Sequence, residues 1–311
     1  MRIGKVAVLG AGTMGPGIAQ TFAQAGHEVG LYTRRQETLE RALGVVRTNL
    51  DLFVQRGLLP GDHKPLVLEA IRPTISLDEA VDGADLIVET IAEKRDLKRE
   101  LFAKLDALCP HEVIFTSNTS SLNIYELTPR PATTVIAHWF APAHILPLIE
   151  VVRGPETSDE TVQTVVTLMK SLGKAPVVLE KFVAGFLINR LLRALGREIF
   201  YLLDNGYVTP EGLDLAVKAS IAPRMMVLGI VQRYDFTGLD ISAANLANPD
   251  FPDPPADNHP RSLFDLVEAG HLGVKTGKGF FDYGDRPLKE ILRERDEKLL
   301  TVFGATEEFL K

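Results

Sequence analysis

The chain has 311 residues, 45% of them hydrophobic and 24% charged, which suits a soluble globular protein of two domains, each large enough for a core. A formal net charge of −7 with no basic tract excludes a nucleic-acid partner, and the single cysteine, Cys109, excludes an internal disulfide and fits a reducing compartment. His138, His144 and prolines interrupt the longest apolar run, so no membrane span is expected, and Met1-Arg2-Ile3 leaves no room for a leader before the first strand, so a cytoplasmic location is expected.

Val6–Leu9 is a short apolar run suited to a strand buried on both faces. It ends in Gly10-Ala11-Gly12-Thr13-Met14-Gly15, a G-x-G-x-x-G turn, and Pro16 to Ala25 reads as a helix stopped by Gly26. Glu28–Thr33 makes the second strand. A bare G-x-G-x-x-G could be an ordinary glycine-rich loop, but a strand, a glycine turn, a helix and a strand within about thirty residues read as a dinucleotide site. Gly10 permits the tight turn, Gly12 lets a pyrophosphate approach the backbone, and Gly15 lets the helix pack on the strand. The anion sits on the free N–H groups of the helix start.

Gln36–Arg56 has helical spacing, with Leu39, Leu43, Val46, Leu50 and Phe53 on one side. Ile71–Ser76 reads as a strand, Leu77–Ala80 as a helical turn and Asp85–Glu89 as a buried strand. Lys94–Leu108 is an amphipathic helix, and Val113–Ser117, Thr134–His138, Leu148–Arg153 and Pro176–Glu180 are further strands, with a helix over Ser158–Ser171. Alternating strands and helices imply a doubly wound, mostly parallel α/β sheet. The rhythm changes near Lys181, which divides the chain into a dinucleotide-binding Rossmann domain over 1–181 and an all-α domain over 182–311. Gly185–Leu203 reads as a long helix, apolar nearly all round, of the kind buried in a bundle or against a second subunit. Helices follow over Pro210–Ala219, Arg224–Arg233 and Ser262–Glu268, and Asn248–Pro260, with five prolines, reads as a loop or lid.

Ser117-Asn118-Thr119-Ser120-Ser121 follows a buried strand at its carboxyl end, where open α/β sheets place ligands. The next strand leads to His138, with Glu150 beyond it. A hydride-transferring dehydrogenase needs a base to take the alcohol proton, and histidine suits that work near neutral pH. Glu150 would fix the imidazole tautomer. A satisfied core histidine at a strand end is the competing reading. Arg224, just after Pro223, is a candidate anchor for a substrate carboxylate, against a solvated or structural arginine. No metal-ligand spacing is present.

The ordered set GAGTMGPGIAQ, DLIVETIAEKRDLKRELF, SNTSSL, AHWFAPAHILPLIEVVRG, LGKAPVV, AGFLINRLL and GVKTGKGFFDY resembles the L-3-hydroxyacyl-CoA dehydrogenase family over almost the whole chain. The resemblance implies an NAD(P)-dependent oxidoreductase that interconverts an L-3-hydroxyacyl substrate, such as 3-hydroxybutyryl-CoA, and its 3-oxo form. It implies that His138 is the catalytic base and Glu150 its partner. Ser117 and Asn189 would then bind substrate, and Glu93 and Lys98 would line the cofactor cleft, where a plain reading makes them an exposed helix-end pair. It also implies a homodimer through the helical domain. Two departures bear on substrate. Ala141 stands where the family commonly has Asn, and Arg47–Lys64, matching the CoA-binding region, offers only Arg47, Arg56 and Lys64 as cations. His138-Trp139-Phe140 with Ile145-Leu146-Pro147-Leu148 resembles branches that oxidise small free hydroxy acids, carnitine- or gulonate-like. Lens-type relatives that bind dinucleotide without turnover are the alternative of another class.

The resemblance places Thr33 at the end of the second strand, where an acidic residue would bond the adenosine ribose and repel a 2′-phosphate. Arg34 and Arg35 follow. Guanidinium groups suit phosphate, so NADP is expected ahead of NAD.

Overall fold

The computed structural model describes residues 3–251 and 253–310. Met1 and Arg2, on which the expectation of no leader rests, and Pro252 of the proline-rich segment lie outside them.

Strand β1 (Lys5–Leu9) is followed by α1 (Gly15–Gln24), β2 (Glu28–Tyr32), α2 (Gln36–Gln55), α3 (His63–Ala70), β3 (Ile71–Thr74), α4 (Leu77–Val81), β4 (Leu86–Glu89) and α5 (Arg95–Leu108). Next come β5 (Ile114–Ser117), β6 (Thr134–Trp139), β7 (Leu148–Val152), α6 (Asp159–Ser171) and β8 (Ala175–Leu179). Among the described residues they form one 8-stranded sheet in the order β3-β2-β1-β4-β5-β6-β7-β8. Neighbours run parallel except β6 and β7, which a loop with no crossover helix joins and which are therefore antiparallel. The chain reverses direction across the sheet between β1 and β4, so their carboxyl ends open a crevice at the switch point.

Alternate residues of the central strands serve the two faces. Ala7, Leu9, Ile87, Phe115 and Ile136 meet Phe102 and Leu105 of α5 on one face. Val6, Val8, Ile18, Phe22 and Leu31 are wholly buried as well. At about 1.5–3 kcal/mol per large apolar side chain, this core holds the strand ends that carry the site.

Two compact units divide the chain, Met1–Arg190 and Leu191–Lys311. The division falls inside helix α7 (Ile188–Asp204), a few residues after the change of rhythm at Lys181. Leu187 N and Ile188 N donate to Glu150, and Asn189 Nδ2 donates to Ser120 O, which ties this stretch to the sheet. Gly185 (φ 79°) and Phe186 (φ 51°) are left-handed, so α7 begins after them and not at Gly185 as its periodicity suggests.

The second unit continues with α8 (Pro210–Ala216), a π-helical turn over Val217–Ile221, α9 (Ala222–Leu228), α10 (Gln232–Thr237), α11 (Leu239–Leu246), α12 (Arg261–Glu268) and α13 (Leu288–Thr306). The stretch expected as one helix over Arg224–Arg233 is broken at Gly229, whose φ is 72°. Among the described residues of this unit only Pro260 and Asp296 are buried, and no aliphatic or aromatic side chain is.

Candidate active site

The glycine turn lies at the crevice between β1 and β4. Gly10 has φ 120°, and a Cβ there would meet Thr90 O at 2.5 Å. A Cβ on Gly15 would meet Gly10 O at 1.8 Å, so the start of α1 closes directly on the turn. Gly12 has nothing within 4 Å of its Cβ position, and its backbone is exposed. Two glycines are therefore required by packing, and the third keeps space open where a pyrophosphate would approach. Thr13 is exposed beside it and Met14 caps α1. The adjoining cavity, about 280 Å³, is lined by Gly10, Gly12, Thr33, Arg34, Ile91 and Lys104 among others. Arg35 is the N-cap of α2 and does not line it. The residues present fit a dinucleotide.

Glu93 and Lys98 belong to a cluster whose centre the sequence did not reveal. Lys98 has 0% exposed side chain, and its Nζ donates to both oxygens of Glu89 at 2.6 and 2.8 Å and lies 3.3 Å from Glu93 Oε2. Lys98 has no exposed surface, and neither it nor Glu93 is among the residues that line the cavity. Glu89 also accepts from Ile91 N at 2.8 Å and from Ser117 Oγ. Glu93 Oε1 accepts from Thr119 Oγ1 and from Ser120 N and Ser121 N. Burial would raise the Glu93 pKa, but the Thr119 hydroxyl and the Lys98 charge outweigh it and hold the carboxyl below its usual range. The cluster ties the β4–α5 loop to the β5 loop. Asn118 extends the tie, accepting from Trp139 N at 2.7 Å. An acidic residue ending the apolar DLIVE strand was the available signal for Glu89, because a buried lysine needs a buried counter-charge.

His138 and Glu150 are directly opposite one another on β6 and β7, so their side chains share one face. His138 Nδ1 lies 2.7 Å from Glu150 Oε2. Glu150 Oε1 accepts from Leu187 N at 2.9 Å and Ile188 N at 2.8 Å. Burial pushes the Glu150 pKa up, but hydrogen bonds from His138 and these two N–H groups pull it below the ordinary value. A charged carboxylate can only accept, so Nδ1 is the donor, and in the neutral imidazole this leaves the lone pair on Nε2. Phe140 and Phe186 pack on the imidazole at 4.5 and 5.4 Å between centroids. The left-handed turn at Phe186 aims the two N–H groups at Glu150, a strained residue at a chemically loaded point. The loop after β6 is anchored by Lys174, whose Nζ donates to Ala143 O at 2.7 Å and Leu146 O at 3.0 Å and sits over the Trp139 ring.

Of the expected substrate-binding residues, Ser117 and Asn189 lie in the same unit as His138. Ser117 has no exposed surface, and its proton is committed to Glu89. Asn189 is half-buried, with its amide nitrogen 3.3 Å from Ser120 O. Arg224 belongs to the helical unit, is exposed, and bonds Ser220 O and Ser220 Oγ on its own segment.

Residues 5–182 match the family model described as 3-hydroxyacyl-CoA dehydrogenase, NAD binding domain, and residues 185–283 match the model for that family's C-terminal domain. The chain belongs to the 3-hydroxyacyl-CoA dehydrogenase family. It is an oxidoreductase acting on a CH–OH group, and its N-terminal half is an NAD-binding domain. A 5-formyl-3-hydroxy-2-methylpyridine 4-carboxylate 5-dehydrogenase from Mesorhizobium japonicum is 35% identical over 309 residues, which is 96% of this chain and 97% of that protein. A 3-hydroxybutyryl-CoA dehydrogenase from Clostridioides difficile is 36% identical over 284 residues, 90% of this chain and 99% of its own. Among solved structures, an NAD+-dependent dismutase described as a 5-dehydrogenase of that same pyridine carboxylate superposes with a TM-score of 0.88. Identity is 33%, and the match covers 98% of this chain and 99% of that one. The (S)-3-hydroxybutyryl-CoA dehydrogenase from Ralstonia eutropha superposes with a TM-score of 0.73 and 30% identity over 91% of this chain and 100% of its own. No helix among the described residues is long and apolar enough to cross a membrane.

Proposed function

We propose that this family member is an NADP-preferring dehydrogenase whose substrate is a small hydroxy compound bearing a free carboxylate. The likeness to the pyridine-carboxylate enzyme carries the substrate part of this reading, since its TM-score of 0.88 exceeds the 0.73 of the CoA-thioester enzyme; that relative is NAD+-dependent, so the NADP preference rests on the residues at the end of β2 alone. The CoA-like region adds support. Lys64 is paired with Asp51, which engages one of the few cations there that could meet nucleotide phosphates. An L-3-hydroxyacyl-CoA such as 3-hydroxybutyryl-CoA is the second reading, favoured by the identity to the Clostridioides difficile enzyme. Screening free hydroxy acids, hydroxymethyl- and formyl-pyridine carboxylates and 3-hydroxyacyl-CoAs by nicotinamide absorbance tests it. A 3-hydroxyacyl-CoA far better in kcat/KM than every free acid would overturn it.

His138 Nε2 takes the proton of the substrate hydroxyl as hydride leaves the same carbon, and returns it to the carbonyl oxygen in reverse. When bound, the nicotinamide supplies the hydride acceptor. Glu150 holds Nδ1 protonated and stabilises the imidazolium. Asn189 is the reading's substrate-contacting amide, while Ser117, with no exposed surface, holds Glu89 and does not touch substrate. Thr33 in place of a carboxylate, with Arg34 lining the adjoining cavity, supports the NADP preference. A protein that binds dinucleotide without turnover would have no use for the His138–Glu150 geometry.

The helical unit supports a homodimer. It has no buried aliphatic or aromatic side chain among its described residues, and Leu192 and Leu195 of α7 are 57% and 50% exposed. A unit of this size without a core is not independently stable, and a second copy of the same unit supplies the missing apolar surface. Sedimentation equilibrium should give a dimer with no folded monomer on dilution. The single Cys109 has no second cysteine to pair with in the chain, which accords with a reducing, cytoplasmic setting.

A further inference from the structure

We infer that Lys104 of α5 and Arg34 together form a subsite for a 2′-phosphate at the adenosine end of the cleft, so that Lys104 is a specificity-determining residue. The inference rests on the NADP preference proposed above and deepens it. Thr33, Arg34 and Thr38 line the cavity from the β2 side, while Leu97, Glu100, Leu101 and Lys104 line it from α5. Leu97 and Leu101 supply an apolar surface of the kind a flat base packs on, and the charged groups stand beside it.

The charge count at this end is unequal. Lys104 Nζ lies 2.7 Å from Glu100 Oε1, an i,i+4 pair on α5. Arg34 is exposed and has no ion pair among the described residues, yet it lies near enough to act on both members of the Glu100–Lys104 pair. Two cations therefore face one carboxylate, and Glu100 is already engaged. A ribose with free hydroxyls asks for an acceptor at the end of β2, where Thr33 carries no charge. A 2′-phosphate instead supplies the missing negative charge to both cations and acceptors to the Thr33 and Thr38 hydroxyls. Arg35 caps α2 outside the cavity and has no part in the subsite.

Calorimetric titration of the full-length protein with 2′,5′-ADP and with 5′-AMP separates the subsite from turnover. The parent should bind 2′,5′-ADP about tenfold or more tightly than 5′-AMP, and this preference should shrink as salt is raised. Lys104→Ala and Arg34→Ala should each cut the preference about fivefold, with a smaller loss of 5′-AMP affinity than of 2′,5′-ADP affinity, at unchanged melting temperature. Glu100→Gln, which removes the one competing carboxylate, should enlarge the preference, and a fall there contradicts the charge count. If the parent prefers 2′,5′-ADP while Lys104→Ala leaves the ratio within about twofold, the role of Lys104 is overturned and the NADP reading stands. If the parent binds 5′-AMP as tightly as 2′,5′-ADP, both fall.

Discussion

Replacing Glu150 by glutamine changes one atom and should cost most of the activity. The native carboxylate has two acceptor oxygens facing three donors, His138 Nδ1–H, Leu187 N–H and Ile188 N–H. Glutamine offers one acceptor and one donor in the same space. If its oxygen keeps the two backbone N–H groups, its NH₂ faces Nδ1 and forces the other tautomer, in which Nε2 carries the proton and cannot take another. If its oxygen faces Nδ1, two backbone N–H groups point at an NH₂, at about 1–3 kcal/mol for each donor left unpaired. The first arrangement loses the base and the second loses stability. Their balance favours satisfying the two N–H groups, so kcat for alcohol oxidation should fall roughly 10²–10⁴-fold. Steady-state kcat gives the chemical loss, and cofactor fluorescence titration should show a Kd within about threefold of the parent, because Glu150 does not line the cofactor cavity. A Glu150→Gln enzyme with kcat within about threefold of the parent would refute the tautomer reasoning.

Gly12→Ala should fold normally and lose cofactor affinity, since its Cβ meets no protein atom but fills the approach to the turn, whereas Gly15→Ala, with Gly10 O at 1.8 Å, should lower the melting temperature as well. Thermal melts with and without cofactor separate the two. Phe186→Val should destabilise by about 1–2 kcal/mol more than Phe186→Leu in urea unfolding, because a β-branched residue tolerates φ 51° worse; equal losses would remove the strain from the explanation. Burial pushes the Lys174 ammonium down to about 8, so the unfolded chain binds the extra proton above that pH and this group's contribution to stability rises between pH 8 and 10.5. Urea unfolding of the parent measured against Lys174→Met should therefore shift by about 2 kcal/mol in the parent's favour from pH 7 to pH 10, and a shift of opposite sign would contradict it.

The parallel sheet was legible because its strands are apolar on both faces and end in turn residues, as at Val6–Leu9 and Leu86–Glu89. His138 and Glu150 were legible as residue types, but their pairing depends on the one antiparallel contact in the sheet, which no local pattern announces. Glu89 was missed because its role comes from Lys98, which helical periodicity places on an amphipathic helix without revealing that it points inward. Gly185 reads as a helix start by spacing alone; only the left-handed turn at Phe186, set by bonds to Glu150, moves the start to Ile188. Helix α13 was not anticipated, since Lys289, Glu290, Arg293, Glu294, Arg295 and Glu297 dilute its apolar period. The core-poor helical unit is likewise invisible in sequence, where Leu192 and Leu195 look like any buried face.

The most direct test is the turnover of His138→Ala on the substrate that the screen identifies, measured beside its cofactor Kd. Proton removal by Nε2 predicts a kcat lower by roughly 10²–10⁴-fold with the cofactor Kd within about threefold of the parent. A His138→Ala enzyme that turns over close to the parent rate would contradict the account.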